Sequence, residues 1–160
     1  MERIPDNEAR LAEAVRRQRR RNARTEFAAR LTCGGSPGSI LSDEAQLHLV
    51  ACLKELQKGA PRSFADIFGA VTAVQAIVGE GLRVALHPCV EEWPGAMVSA
   101  ADFFAAVRRN PFLLSLDGFV VMAADGDAAA ELDYLDEGLD TPAELRTYGL
   151  WATAPEAQSQ

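Results

Sequence analysis

The sequence predicts a mostly α-helical fold that ends in a small α+β segment. Three observations support this fold class. Asp6 to Leu31 contains no glycine and consists mainly of good helix formers such as Ala, Arg, Glu and Leu. Two amphipathic stretches, 42–58 and 63–79, each begin with a capping residue and end at Gly or Pro. Phe112 to Ala124 instead shows two apolar runs separated by Asp117-Gly118, which is typical of strands.

Capping residues and Gly/Pro positions predict where the helices of the first half begin and end. The first helix spans Asp6 to Leu31 and is followed by a Gly/Pro loop, Cys33–Ser39. A second helix is expected from Ser42, as N-cap, to Lys58. The pattern Ser63-x-x-Asp66 predicts a capping box that starts a third helix, which ends at Gly79.

The second half is expected to mix short strands and helices. Its predicted elements are a strand over Leu82–Leu86, a helix over Ser99–Asn110, an acidic helix over Asp127–Glu137 and a last helix over Thr141–Tyr148. Phe112–Ala124 is expected to form a hairpin. The alternative is a helix that ends at Leu116, followed by one strand from Phe119. The tail from Ala154 is expected to be loose.

Charge is strongly segregated along the chain. Residues 1–32 hold nine arginines and five acids, whereas residues 33–160 hold seven bases and eighteen acids, so their net charges are +4 and −11. Six of the arginines fall within nine positions, 16–24, and the stretch 117–144 carries nine acids and no base. A basic end on an acidic body is typical of a polyanion-binding arm, and six guanidinium groups on one helix suit phosphate and guanine in a major groove.

The order of basic helix, Gly/Pro loop and amphipathic helix is the order of a basic helix-loop-helix module. The segment Arg16-Arg-Gln-Arg-Arg-Arg-Asn-Ala-Arg-Thr-Glu-Phe27 resembles the basic region and first helix of basic helix-loop-helix PAS (bHLH-PAS) transcription factors. The resemblance is to their hypoxia-inducible, single-minded and neuronal PAS branch. Ser36 to Leu53 is similar to their loop and second helix. Ala96–Ser99 and Phe112-Leu-Leu-Ser-Leu-Asp-Gly-Phe-Val-Val121 look like the start of their first PAS domain.

The resemblance implies three parts: a helix-loop-helix-like 6–58, a helical connecting region 59–110 and a truncated PAS-like segment 111–153. It also implies a nuclear, dimerising transcription regulator that binds double-stranded DNA with a bHLH-PAS heterodimer partner. The implied DNA-binding residues are Arg16, Arg17, Arg19, Arg20 and Arg24. The implied dimerisation residues are Phe27, Leu31, Leu47, Leu49, Val50, Leu53 and Leu56. Only about forty residues follow Asp117, too few for a five-stranded PAS sheet, which fits a short form that dimerises without activating.

A second hypothesis follows from charge alone. An acidic, α-helical protein can bind and neutralise a basic protein partner, as inhibitors, immunity proteins and secretion chaperones do. The acidic stretch 117–144 would then be the contact face, the arginine helix would be solvated or self-associating, and the protein would be cytoplasmic.

Catalysis, metal binding and membrane insertion have little support in the sequence. His48-x-x-x-Cys52 and His87-x-Cys89 are compatible with zinc but lack the usual finger spacing, and the acids around Asp125 lack the calcium-loop pattern. We therefore expect no metal, no cofactor and no enzymatic activity. No apolar stretch is long enough for a membrane span, and three widely spaced cysteines favour a reducing compartment.

Overall fold

The fold is built on one antiparallel β-sheet. A computed structural model describes residues 4–33, 38–90, 93–136 and 140–152, and these contain four helices and seven strands. The helices are α1 (Ile4–Cys33), α2 (Asp43–Glu55), α3 (Ile67–Val78) and α4 (Ala100–Arg109). The strands are β1 (Gly38–Ile40), β2 (Arg62–Phe64), β3 (Leu82–Leu86), β4 (Ala96–Ser99), β5 (Gly118–Ala123), β6 (Ala128–Tyr134) and β7 (Ala143–Gly149).

The sheet separates two layers of helices. Its strand order is β1-β4-β3-β5-β6-β7-β2, and every neighbouring pair is antiparallel. The C-terminal end of α1, together with α3 and α4, packs on one face, which we name the α3/α4 face. Helix α2 packs on the opposite face, which we name the α2 face. Strands from all three of the predicted parts join this single sheet.

The larger core lies under the α3/α4 face. Phe103 and Phe119 meet edge to face with ring centroids 5.4 Å apart, and Phe27 and Leu31 of α1 are buried in the same cluster. The smaller core lies under α2, where Leu49 packs against Val84 and Met122 of the sheet. Burial of these side chains gives most of the favourable free energy of folding.

The predicted mostly α-helical fold class is wrong, because a seven-stranded sheet forms the centre of the described chain. The two largest differences are β6 and β7, which occupy segments predicted as helices. Ala128–Tyr134 is rich in alanine and acids, which favour a helix in isolation. Alternate residues such as Leu132 and Tyr134 nevertheless face the core, and this period of two decides the structure.

The predicted helix–loop–helix order does not give a helix–loop–helix unit either. The first two helices are confirmed, and the Ser42 hydroxyl accepts a hydrogen bond from the Ala45 N–H, as its N-cap role requires. Strand β1 stands between them and joins the sheet beside β4. The loop residues 34–37 lie outside the described residues.

The remaining predictions have mixed outcomes. Strand β3 and the fourth helix are confirmed at their predicted positions. The third helix begins at Ile67, with Asp66 as N-cap, because 62–64 form strand β2. The hairpin over 112–124 is wrong: 111–114 form turns, and one strand begins at Gly118, close to the alternative. The tail from Ala154 lies outside the described residues.

Candidate functional site

The α2 face of the sheet has an apolar half and a charged half. The apolar half, which includes Val84, Leu86 and Val120, lies under α2. The charged half consists of Glu131 and Asp133 on β6 and Glu144 and Arg146 on β7. Side chains alternate between the faces of a sheet, so these four residues lie opposite the core residues Leu132 and Leu145.

Strand pairing concentrates three carboxylates in the charged half. Asp133 pairs with Glu144 in the β6–β7 register, and Glu131 pairs with Arg146. Directly paired residues on one face have Cβ atoms about 4.5–5.5 Å apart, so the Asp133 and Glu144 charges are close neighbours. A guanidinium nitrogen of Arg146 lies 3.6 Å from Glu144 Oε1, and the two side chains are 32% and 35% exposed. Within these four residues, one cation faces three anions.

This arrangement makes ionisation of Asp133 less favourable. Partial burial raises the pKa of its carboxyl group above the usual value, and the charges of Glu144 and Asp117 raise that pKa further. The ionised form is therefore less favourable in the folded chain than in the unfolded one. A cation that binds between Asp133 and Glu144 would relieve this repulsion.

A small cleft lies where the two halves meet. Its volume is about 260 Å³, and its lining comprises Leu53, Lys54, Lys58, Val120, Glu131 and Tyr148. The Tyr148 hydroxyl donates a hydrogen bond to Glu131 Oε1 at 3.1 Å, and burial together with that carboxylate raises the pKa of Tyr148 to about 12. Small-molecule pockets usually measure about 300–1,000 Å³. The cleft therefore suits one side chain better than a metabolite.

The predicted DNA-binding arginines lie on α1 in two different environments. Residues 16–24, which we name the basic segment, contain all five of them. Arg16 pairs with Glu13 at 3.1 Å, and Arg24 donates to the Leu41 carbonyl and contacts Asp43 at 2.7 Å. Arg17, Arg19 and Arg20 are exposed. Two of the five therefore serve local contacts, and three project into solvent.

The predicted dimerisation residues mostly pack inside the chain itself. Phe27 and Leu31 are buried in the core under the α3/α4 face, and Leu49 and Val50 are the buried residues of α2 itself. Leu53 and Leu56 are partly buried against the smaller core, and Leu47 is 71% exposed. A helical bundle with a second chain would have to withdraw most of these side chains from their present contacts.

The His and Cys pairs form local contacts. His48 Nε2 lies 3.7 Å from Cys52 Sγ on α2, and His87 Nδ1 accepts a hydrogen bond from the Cys89 N–H at 3.0 Å. The His87 ring also stacks on Trp93 with centroids 4.7 Å apart. Among the described residues, no three His, Cys, Asp or Glu side chains are grouped so that they could hold a metal ion. No helix in this described part is long and apolar enough to cross a membrane.

Comparison with family models, curated proteins and solved structures finds no match to the chain. The bHLH-PAS resemblance therefore stays a prediction.

Sequence reasoning identified the acidic stretch but missed Arg146 and Tyr148, and it did not show which acids come together. The sequence Ala143-Glu-Leu-Arg-Thr-Tyr148 alternates between apolar and polar residues from Ala143 to Arg146, as a strand does. Ala143 and Leu145 face the larger core, and the residues that alternate with them face the other side. The Pro142 start and the Glu144 capping pattern favoured a helix instead. Only the β6–β7 register places Asp133 beside Glu144.

Proposed function

We propose that the chain is a protein-binding module whose charged sheet half binds and neutralises a basic protein partner. The observation that carries this proposal is the group of three carboxylates, Glu131, Asp133 and Glu144, on the part of the sheet face that α2 leaves uncovered; Asp133 is exposed and the other two are partly buried. Within the charged half Arg146 offsets them only in part, and Lys54 and Lys58 lie beside Glu131 in the adjacent cleft.

The raised pKa of Asp133 supports the proposal. Residues chosen for stability alone would avoid two carboxylates paired across a strand, because like charges there are destabilising. Such a cost is expected where a surface is shaped for a ligand that supplies the missing positive charge. A Lys or Arg side chain of the partner provides that charge.

The adjacent cleft supports a protein rather than a free cation as the partner. Leu53, Val120 and the Tyr148 ring give it an apolar part beside Glu131, and Lys54 and Lys58 complete the lining. Interfaces commonly combine one buried apolar or aromatic anchor with charged contacts at its rim. The fitting partner segment carries an apolar side chain next to Lys or Arg residues.

The test is a titration of the labelled protein with a synthetic Lys/Arg-rich helical peptide that contains one Trp, at low salt. The double variant Asp133→Asn/Glu144→Gln removes two charges but keeps shape. We expect its Kd to rise about tenfold, since two exposed ion pairs contribute on the order of 1–2 kcal/mol together.

The matched control is Glu80→Gln/Asp102→Asn. Glu80 precedes β3 and Asp102 lies on α4, both exposed and away from the charged half. Equal weakening by the two double variants would mean that only net charge matters, and the proposed site would be wrong.

A second candidate function, DNA binding, is favoured by a different observation. Arg17, Arg19 and Arg20 are exposed and precede Ala23, the first buried residue of α1 among those whose burial is described. A major groove admits such a helix, and arginine suits both phosphate and guanine. Because the dimerisation residues pack within the chain, the resemblance-based DNA complex would have to form without the predicted bundle.

Fluorescence anisotropy on E-box and scrambled duplexes tests this candidate, with and without a broadly expressed bHLH-PAS partner. Arg19→Ala/Arg20→Ala should weaken binding and reduce the salt slope by roughly two phosphate equivalents. An unchanged slope would contradict a phosphate role for these two arginines.

A further inference from the structure

The basic segment of α1 is fixed in direction, and its Arg17 and Arg20 side chains are exposed to solvent. Phe27 and Leu31 anchor the C-terminal end of the helix in the core, and the helix is continuous from Ile4. At 1.5 Å per residue, α1 is about 45 Å long. The anchored end therefore holds the exposed Arg17 and Arg20 away from the body of the protein as a rigid extension.

The basic segment and the charged half of the sheet are complementary in sign and in spacing. Side chains three or four positions apart on a helix lie about 5–6 Å apart, as Arg17 and Arg20 do. Asp133 and Glu144, paired across β6 and β7, lie about 4.5–5.5 Å apart. A helix laid on the sheet can thus place two guanidinium groups against two carboxylates at once.

The two surfaces lie far apart within one molecule. Helix α1 inserts Phe27 and Leu31 on the α3/α4 face and contacts β1, which is an edge strand of the sheet. The charged half lies on the α2 face, at β6 and β7 near the other edge. Arg24 reaches no further than Asp43 at the start of α2, and four strand spacings, about 19 Å, separate β1 from β6, with α2 packed on the strands between them. This separation favours another copy as the source of the second surface.

We propose that two copies of this chain associate, with the basic segment of each bound on the charged sheet half of the other. This inference rests on the proposed function of the charged half and adds a particular occupant for it. Each contact joins two different surfaces, the basic segment of one copy and the charged half of the other. Two such contacts, one in each direction, give a closed dimer. A basic partner protein would then compete with the basic segment of the second copy, so partner binding would separate the pair.

Sedimentation velocity at low and high salt tests the proposal with two charge-reversal variants. Arg17→Glu/Arg20→Glu reverses the two contacting positions of the basic segment, and Asp133→Lys/Glu144→Lys reverses the two contacting positions of the charged half. We expect the wild-type protein to dimerise at low salt, and its dissociation constant to rise about tenfold or more in high salt. Each variant alone should be monomeric, because the contacting positions, 17 and 20 on the helix and 133 and 144 on the sheet, then carry the same sign.

An equimolar mixture of the two variants gives the decisive result. In the mixture, positions 17 and 20 of each copy meet positions 133 and 144 of opposite sign on the other copy, so a dimer should form again. The control Glu80→Lys/Asp102→Lys changes net charge as much as the sheet variant and should keep the wild-type dimer. A monomeric wild type, a mixture that stays monomeric, or a dimer that nuclease treatment abolishes would each overturn the proposal.

The peptide titration separates this inference from the proposed function. If the wild type is monomeric while Asp133→Asn/Glu144→Gln still weakens peptide binding, self-association is wrong and the proposed function stands. If the variant leaves peptide binding unchanged, the proposed function is wrong as well.

Discussion

The electrostatic repulsion within the charged sheet half destabilises the ionised form of one side chain, Asp133. Its pKa is raised by partial burial first and by Glu144 and Asp117 second, so its folded pKa lies above the unfolded one. For such a carboxyl group the charge destabilises the fold at every pH above the folded pKa. That penalty decreases as pH falls through the raised pKa, and it disappears below the ordinary value of about 3.8, where both states are protonated.

We therefore expect Asp133→Asn to raise the free energy of unfolding at pH 7 and to lose this advantage near pH 4. Urea unfolding across pH 4–8 measures the difference. Glu80→Gln, an exposed acid near the opposite end of the strands, should show no comparable trend. A gain from Asp133→Asn that does not change with pH would exclude the electrostatic cause.

Gly118 shows that part of the PAS-like sequence phrase has a local structural cause. Its φ is +123°, and a Cβ there would lie 1.9 Å from the Leu132 carbonyl oxygen on β6. Only glycine permits this approach of β5 to its neighbour. Strand pairing in this fold thus explains the glycine of the Leu-Asp-Gly-Phe-Val phrase.

Gly118→Ala should accordingly cost about 3 kcal/mol or more, because backbone strain and a clash with the main chain add together. Gly79→Ala is the matched control, since its φ is +69° but nothing lies within 4 Å of the added carbon. It should cost only about 1–2 kcal/mol. Equal losses in urea unfolding would show that the close approach to Leu132 does not matter.

At the scale of elements, the C-terminal end of α1 is buried in the core, whereas residues near its middle are exposed to solvent. Phe27 is fully buried, whereas Val15, three turns earlier, is 42% exposed. Phe27→Ala should cost about 3–5 kcal/mol, and Val15→Ala should change stability by less than about 0.5 kcal/mol. Similar losses would mean that the basic segment also packs against the body.

Deleting residues 1–32 would remove the core residues Phe27 and Leu31 together with the basic segment. Charge reversal is therefore the better test of the basic segment.

The elements that the sequence predicted correctly are those in which local signals and tertiary packing agree. Ser42 is an N-cap before an amphipathic run, and Leu82–Leu86 has the length and β-branched content of a strand. β6 and β7 failed because Ala, Glu and Leu favour a helix locally, while pairing with β5 and burial of Leu132 and Leu145 favour a strand. The short edge strands β1 and β2 carry too few residues for any periodicity to show.

For the candidate site, composition predicted an acidic surface but not its arrangement. The run 117–144 was visible as nine acids without a base, yet Asp125 and Asp127 lie in the turn between β5 and β6, at the end of the sheet away from Asp133. The grouping of Glu131, Asp133 and Glu144 depends on a register of long-range strand pairs. Pairing across a sheet cannot be derived from one sequence when both strands also fit a helical pattern.

At the scale of the whole molecule, charge segregation has a kinetic consequence. The net charge of −11 on residues 33–160 attracts a basic partner from a distance, whereas the contacts of the charged half and the cleft hold it afterwards. Long-range attraction is screened by salt, and close contacts beside a partly buried face are screened less. The association rate should therefore depend on salt far more than the dissociation rate.

Stopped-flow binding of the Trp-containing basic peptide measures both rates. Raising ionic strength from about 0.01 to about 0.15 M shortens the Debye length from about 30 to about 8 Å, so we expect the association rate to fall about tenfold or more. The dissociation rate should change by less than about threefold. Asp133→Asn/Glu144→Gln should instead mainly speed dissociation, while Glu80→Gln/Asp102→Asn should lower only the association rate. If both pairs of substitutions affect the same rate constant equally, the peptide is held by the overall field of the protein and not by the charged half of the sheet.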